Sequence, residues 1–451
     1  MTQADLIIIG AGPGGYETAL EAAQCGLQVV LIDKHKVGGT CLNEGCIPTK
    51  CLCHTAETLH TIKNCTADGI SFDGDARLDL SQAVARKNQI VEQLGNGITM
   101  QLKKAGVTYV HGTARLTSAN TVAVVLDDGS EQSFGAKDII IACGSKTAFL
   151  PIEGAHLPKV LTSTEMLKLD SIPERICIIG GGVIGLEFAS IFNTFGSQIT
   201  VVEFCKEVLP FFDKDIAKRL RLALKKSGID FRLSSQVVAI HDKGGCYEVE
   251  YVANDNHETV ECDYVLMAVG RKANLEALNL ADYNIEVSRR GIVVDEYYQT
   301  TVPHIYAIGD INGQMQLAHA ATFQGKTALA KILGKSSPIQ HSLCPAVVFT
   351  HPEVAMVGKT EEQLKEEGIE FATRKCQYGA NGRALSMGAA EGLLKMYVST
   401  DGHILGVHIL GSHAAELIHE ATAWMSTNAT IEQVRQTIHA HPTLNELFIN
   451  A

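Results

Sequence analysis

The chain has 451 residues, about three times a typical domain of ~150, so two to four domains are expected. Lys and Arg number 38 against 50 Asp and Glu, and the net charge of −12 argues against a nucleic-acid or anionic-membrane surface. No apolar run reaches the ~18 residues of a membrane span, and the polar N-terminus lacks a signal peptide's basic region and cleavage site. Thirteen cysteines without an export signal favour a reducing, cytoplasmic compartment, with most of them buried free thiols.

The first predicted strand is Leu6–Ile9, a β-branched run. A glycine-rich turn follows, with Gly10, Gly12 and Gly15, then an Ala-rich helix to Gln24. A second strand, Leu27–Ile32, ends at Asp33. Such a unit binds a dinucleotide. The first glycine permits the tight turn, the second lets backbone approach a pyrophosphate, and the third lets helix and strand pack closely. The helix N-terminus offers free N–H groups to phosphate, and the acid accepts from a ribose hydroxyl.

Next comes Gly38-Gly-Thr-Cys41-Leu-Asn-Glu-Gly-Cys46-Ile-Pro-Thr-Lys50. In a regular helix five residues rise about 7.5 Å, too far for a disulfide, but Gly45 permits a distorted turn. Pro48 suits a first helical turn, which would put both sulfurs near a helix start and favour thiolate. A local, accessible cysteine pair beside a nucleotide unit suits redox exchange. The alternative is zinc, with Cys51, Cys53 and His54 close by, although the spacing is not the paired form of zinc sites.

The first unit recurs 170 residues later. Ile176–Ile179 leads into Gly180, Gly182 and Gly185, then a helix, then Ile199–Val202 ending at Glu203. Positions 5–33 align with 175–203 without a gap and with nine identities. Two copies imply two dinucleotides, one a flavin and one a nicotinamide. Glu203 would favour a free 2′-hydroxyl over a 2′-phosphate, hence NAD over NADP. Further on, Ile305–Ile308 reads as a strand ending in Gly309-Asp310, where the acid would hold ribityl hydroxyls. At the C-terminus, His441-Pro-Thr-Leu-Asn-Glu446 joins a potential base to a carboxylate. Thr443 and Glu446 also fit a capping box, and His439 invites a metal reading with His441 but has no obvious third ligand.

GGTCLNEGCIPTK resembles the redox signature of the flavin-dependent disulfide reductases, the class I pyridine nucleotide-disulfide oxidoreductases, and most closely their dihydrolipoamide dehydrogenase members. GGGVIGLE at 180–187, VGRKAN at 269–274, YAIGD at 306–310, QLAHAA at 316–321 and THPEVAMVG at 350–358 extend the resemblance over essentially the whole chain. It implies an α/β fold of two Rossmann-like FAD/NAD(P)-binding domains plus a C-terminal α+β dimerisation domain. The expected bounds are 1–145 and 272–338 for a discontinuous FAD domain, 146–271 for an NAD domain and 339–451 for the interface domain.

The resemblance implies FAD and NAD as cofactors, no metal, and a homodimer. Cys46 would lie against the flavin, Cys41 would be the interchange thiol, and Lys50 and Glu187 would pair near the flavin's reactive edge. The plain alternative for Lys50 and Glu187 is a solvated helix charge each. FAD contacts would also come from Gly39, Thr40, Gly112, Gly144, Gly309, Asp310 and the Ala318-His319 backbone. NAD contacts would come from Val237, Ala268, Gly270 and Arg271 beside Glu203. His441, oriented by Glu446, would act as acid–base across the dimer. The implied substrate is a lipoyl domain of a 2-oxo acid dehydrogenase or glycine cleavage complex. Cys143, Asp33 and Ala320 depart from the family's usual Thr, Glu and Lys. Glu203 and the absence of a terminal Cys pair in HPTLNELFINA argue against glutathione-type and mercuric reductases, and the intact redox set argues against a merely structural subunit.

Overall fold

The computed structural model describes residues 2–276 and 278–451; Met1, the N-terminal bound of the expected FAD domain, and Ala277, inside its second part, lie outside the described residues. The chain divides into two compact units. The first comprises residues up to 51, 82–148 and 270–341; the second comprises 52–81, 149–269 and 342–451.

The first unit is built on a seven-stranded sheet. Its order is Thr108–His111, Val29–Asp33, Thr2–Ile9, Glu131–Ile141, Thr121–Val125 and Thr113–Ser118, with Ile305–Ala307 added on Glu131–Ile141. The strands around the nucleotide motif are parallel, with Ile8 opposite both Leu31 and Ile140. Leu6 to Ile9 are all buried, as a central parallel strand covered on both faces requires. The helix Pro13–Gln24 starts on Gly12 with proline in its first turn. It packs against the helix Ala318–Ile332 through small residues. A Cβ on Gly325 would fall 1.9 Å from Thr18 Oγ1, so only glycine permits this approach.

In the second unit, a five-stranded parallel sheet runs Asp230–Arg232, Gln198–Val202, Arg175–Ile179, Tyr264–Met267, Val160–Leu161. The sequence repeat persists in its register: Leu6 pairs with Val29 in the first unit, and Ile176 with Ile199 here. An antiparallel sheet, Ser235–Asp242, Tyr247–Ala253 and Asn256–Cys262, follows. The C-terminal part is a five-stranded antiparallel sheet ordered Ala346–Val348, Val354–Gly358, Ile404–Leu410, Leu393–Ser399, Phe371–Gln377. The helices Ala414–Ser426 and Ile431–Gln436 pack on it in a core that includes Leu394, Ile409, Ile418, Val434 and Phe448.

Residues 52–81 go with this second unit for visible reasons. Cys53 Sγ donates to Phe349 O at 3.5 Å, Lys63 Nζ donates to Thr194 O at 3.1 Å, and the His60 and His351 rings lie 4.4 Å apart.

Candidate active site

The two cysteines sit on either side of a break between helices. Gly39–Glu44 ends at Gly45, whose φ of −139° and ψ of −106° are not helical, and Cys46–Asn64 begins at once. A Cβ on Gly45 would come within 3.0 Å of Thr40 O, so this turn is glycine's to make. The break brings the Cys41 and Cys46 thiols into hydrogen-bond contact. All 13 cysteines are free thiols here. The hydrogen bond to Cys46, then burial, pushes the Cys41 thiol well above its ordinary value, against the pull of the Lys50 ammonium. For Cys41 that corrects the expectation that a helix dipole would make its sulfur thiolate-prone. Two sulfurs in contact share a proton, and a second ionisation beside the first is penalised. Among the described residues no cluster of three or more His, Cys, Asp or Glu is arranged to hold a metal ion.

Lys50 thus stands beside the dithiol. Glu187 is buried at 4% exposure, and its Oε1 accepts from Phe349 N at 3.0 Å, so it is no solvated helix charge.

The glycine loop at 10–15 leaves a cradle of the right kind for a dinucleotide. Gly10 has φ +110°, and a Cβ there would meet Ala142 O at 2.3 Å. A Cβ on Gly15 would fall 1.8 Å from Gly10 O. On Gly12 the nearest protein atom would be 4.0 Å away, which leaves space for a phosphate. Gly39, at φ +57°, closes on the other side; a Cβ there would fall 2.6 Å from Gly12 Cα. Asp33 accepts from Ala11 N at 2.5 Å and from His35 N at 2.8 Å. Gly112 N donates to Asp33 O at 2.9 Å, and Cys143 Sγ donates to Ile9 O at 3.5 Å.

Asp310 follows the strand Ile305–Ala307 and accepts from Ser145 Oγ. Gly309 N donates to Gln324 Oε1 at 2.7 Å, and Asn312 Nδ2 donates to the same oxygen at 2.9 Å. Ala318 opens its helix, with Leu317 as N-cap. Gly144, at φ +66°, would put a Cβ in open space. Thr40 is exposed.

Arg271 lies in this first unit. Its Nε donates to Ser145 Oγ and its Nη2 to Ser145 O, both at 2.7 Å. Burial pulls the guanidinium below its ordinary value, while Asp310, Glu44 and Cys46 counteract. Sequence reasoning missed Ser145 and Gln324, for neither belongs to a motif. Each is defined by what it holds in place.

The second cradle repeats the first. Gly180 has φ +110°, and a Cβ would meet Ala268 O at 2.4 Å. On Gly185 a Cβ would fall 2.0 Å from Gly180 O, and on Gly182 it would meet nothing within 4 Å. Glu203 accepts from Gly181 N at 2.5 Å and Cys205 N at 2.6 Å. Val237 is buried nearby in the same unit's core, and Gly270 has φ +107°.

In the C-terminal part, His441 Nδ1 lies 2.9 Å from Glu446 Oε1, and the His441 side chain is 79% exposed. Glu446 Oε2 also accepts from Thr443 N at 2.9 Å. The capping box is only half made. Thr443 Oγ1 donates to Ala440 O instead, and the helix Glu446–Ile449 starts on Asn445. The Thr443 amide, then His441, hold the Glu446 carboxyl below its ordinary range. His439 Nε2 is 2.8 Å from Glu420 Oε1.

Residues 4–325 match the pyridine nucleotide-disulphide oxidoreductase model, and residues 344–451 match that family's dimerisation domain. The chain belongs to the pyridine nucleotide-disulphide oxidoreductase family. It is 39% identical to a mitochondrial dihydrolipoyl dehydrogenase of Pisum sativum, over 98% of this chain and 89% of that one. To the dihydrolipoyl dehydrogenase of Geobacillus stearothermophilus it is 38% identical, over 100% and 95%. Among solved structures it is similar to the HOCl-induced flavoprotein disulfide reductase RclA from Escherichia coli, with a TM-score of 0.87, 30% identity, and 98% and 99% of the two chains covered. Its class is therefore that of α/β oxidoreductases using FAD and a nicotinamide nucleotide, with a C-terminal dimerisation domain. No helix among the described residues is long and apolar enough to cross a membrane.

Proposed function

We propose that this protein is an NAD-dependent dihydrolipoyl dehydrogenase of the cytoplasm, acting on lipoyl domains of 2-oxo acid dehydrogenase or glycine cleavage complexes. The observation that carries the reading is the dithiol at the Gly45 break combined with an exposed His441 oriented by Glu446. Full-length likeness to dihydrolipoyl dehydrogenases at 38–39% identity, against 30% to RclA, supports the choice of substrate.

The residues of both cradles fit their nucleotides. Gly10, Gly12, Gly15, Gly39, Asp33, Gly112, Gly144 and Asp310 would hold FAD, with Thr40, Gly309 and Ala318 at its margin. Gly180, Gly182, Gly185, Glu203, Val237 and Ala268 would hold NAD. When bound, FAD supplies the two-electron link between the dithiol and the nicotinamide.

In the turnover we propose, His441 from a second copy of the chain takes the proton of a dihydrolipoyl thiol at Nε2, since Nδ1 faces Glu446. The resulting thiolate attacks Cys41 Sγ of the Cys41–Cys46 disulfide, and Cys46 leaves as thiolate. The second lipoyl thiol, deprotonated in turn, attacks the first lipoyl sulfur. Cys41 leaves and takes up a proton, so lipoyl is oxidised and the cysteine pair reduced. Lys50 would place a fixed positive charge beside the dithiol, and Arg271 would favour anionic Cys46.

Anaerobic addition of dihydrolipoamide to the holoenzyme tests this. A thiolate-to-flavin charge-transfer absorption should appear within the first turnover. If the flavin spectrum does not change, the proposed substrate is wrong. If the flavin bleaches without a charge-transfer band, the dithiol step is wrong.

A further inference from the structure

The residues that hold His441 in place extend beyond Glu446. The segment 437–446 carries His441 and Glu446 between the helices Ile431–Gln436 and Glu446–Ile449. Two of its side chains converge on Glu420, in the middle of the helix Ala414–Ser426. His439 Nε2 lies 2.8 Å from Glu420 Oε1, and Asn445 Nδ2 donates to Glu420 Oε2. The grip therefore falls two residues before His441 and one residue before Glu446. Each end of the base–orienter pair is pinned by one oxygen of a single carboxylate.

The chemistry of His439 sharpens this. Its Nδ1 lies 2.9 Å from Thr437 O, and its side chain is only 5% exposed. Both ring nitrogens therefore face oxygens, a backbone carbonyl and a carboxylate. A carbonyl only accepts, and so does an ionised carboxylate. With an oxygen at each ring nitrogen, the imidazole is held from both sides. The Trp424 ring lies 6.1 Å from His439 and edge-on to it. A carboxylate bonded to two side chains of one segment is stiff, and removing it leaves both of them without that partner. His441 itself is exposed and has Glu446 as its side-chain partner. Its placement is set by the backbone on either side.

We propose that Glu420 and His439 are positioning residues for the His441–Glu446 acid–base pair, with Asn445 as the second tether. This rests on the proposed role of His441 in thiol deprotonation. The chemistry needs Nε2 of His441 placed to within a fraction of an ångström of a thiol presented at another surface. An exposed loop achieves that only if something buried fixes it.

The test uses the intact FAD-loaded protein and the variants Glu420→Gln, Glu420→Ala and Asn445→Ala. Glu420→Gln keeps the shape but turns one of the two accepting oxygens into a donating amide. It should lower kcat/KM for dihydrolipoamide by roughly 10–100-fold, in the range of other residues that orient a functional group. NADH oxidation by an artificial electron acceptor, which needs no thiol base, should change less than about twofold, as should FAD content. Glu420→Ala should lose more than Glu420→Gln, and Asn445→Ala less, an ordering that mere loss of stability would not give. The second readout needs no substrate. His441 is modified with diethyl pyrocarbonate and its rate is followed by peptide mass spectrometry across pH. The pH profile of His441 should shift in Glu420→Gln. If that profile and the dihydrolipoamide kinetics both match the parent, the positioning role is overturned. Should the parent itself fail to turn over dihydrolipoamide, the proposed function falls, and the His441 profile alone decides the positioning role.

Discussion

Asp33 and Glu203 stand 170 residues apart and accept the same hydrogen bond. Asp33 takes it from Ala11 N and Glu203 from Gly181 N, in each case the amide after the first glycine of a nucleotide loop. The second bond repeats too, from His35 N and Cys205 N. Each carboxylate thus fastens the glycine loop to the end of the neighbouring strand, and in the proposed function each would face a ribose. The longer Glu203 is 7% exposed and its charge is fixed by two amides. A 2′-phosphate there would meet a like charge that cannot turn away. Glu203→Ala should therefore cut the preference for NAD over NADP by about 10–100-fold, or ~1.4–2.8 kcal/mol. The ratio of kcat/KM for the two nucleotides measures it. An unchanged ratio would remove Glu203 from cofactor choice.

The cysteine pair gives a second expectation. Cys46→Ser leaves Cys41 with no disulfide to receive a lipoyl thiolate. Lipoamide turnover should fall by at least about 1,000-fold, the scale seen when one member of a concerted catalytic set is removed. Electron transfer from NADH to an artificial acceptor should persist, because it bypasses the dithiol. Survival of lipoamide turnover in Cys46→Ser would disprove the assignment.

How much of this was legible from sequence differs by feature. The Gly10–Asp33 and Gly180–Glu203 units were legible because the turn, the phosphate approach and the helix packing each demand glycine at a fixed offset. Cys41 and Cys46 were legible as a pair, but their proton sharing was not. It depends on how far Gly45 folds the second helix back, and spacing alone leaves that open. Arg271 read as part of a nicotinamide motif, yet its guanidinium is bound by Ser145, 126 residues earlier in the chain. Glu420 and Asp213 were invisible for a related reason. A lone acid on a helix, or just before one, looks solvated until the fold supplies its partners.

Asp213 shows what such an acid does, and yields a stability prediction. It caps the helix Lys214–Lys226 by accepting from Asp215 N and Ile216 N. It also accepts from Lys395 Nζ at 3.1 Å and from Tyr397 Oη, both on the strand Leu393–Ser399. The side chains of Asp213 and Lys395 are 1% and 3% exposed. Removing the cation leaves a buried carboxylate without its counter-charge, which costs about 3–5 kcal/mol. Lys395→Met should lower the thermal midpoint by several degrees, as calorimetry would show, with less effect on the first unit's flavin absorbance. A parental midpoint would mean that the pair is neutral in energy.

The same cluster sets an acid limit. Bonds from Lys365 and Lys395 hold the Glu361 carboxyl down at about 2. A carboxyl depressed in the folded state stabilises fully above its unfolded pKa of ~4.3, and the contribution is lost as pH falls through the folded value. Between about pH 4.5 and 2, stability should therefore decline, steepest in the parent. Lys395→Met releases part of the depression, so its stability should depend less on pH in that window. Equal slopes in urea unfolding at pH 5, 4 and 3 would contradict this.

Gly182 separates binding from folding. Its φ is −79°, which any residue adopts, and a Cβ there meets no protein atom within 4 Å. Gly185 is the opposite case, with Gly180 O only 2.0 Å from where its Cβ would be. Alanine at 185 must push the helix off its strand and should disrupt the second unit. Alanine at 182 should leave folding unchanged within about 0.5 kcal/mol, as surface substitutions do. In the proposed NAD site, the space it fills is the one through which backbone would approach a pyrophosphate. Gly182→Ala should thus raise the KM for NAD by about tenfold or more, a loss of ~1.4 kcal/mol, at parental thermal stability and FAD content. The corresponding Gly12→Ala should instead lower FAD content, because its Cβ projects into the first cradle, 4.0 Å from Gly39 Cα. If Gly182→Ala bound NAD normally while Gly12→Ala lost it, the two cradles would hold the opposite nucleotides.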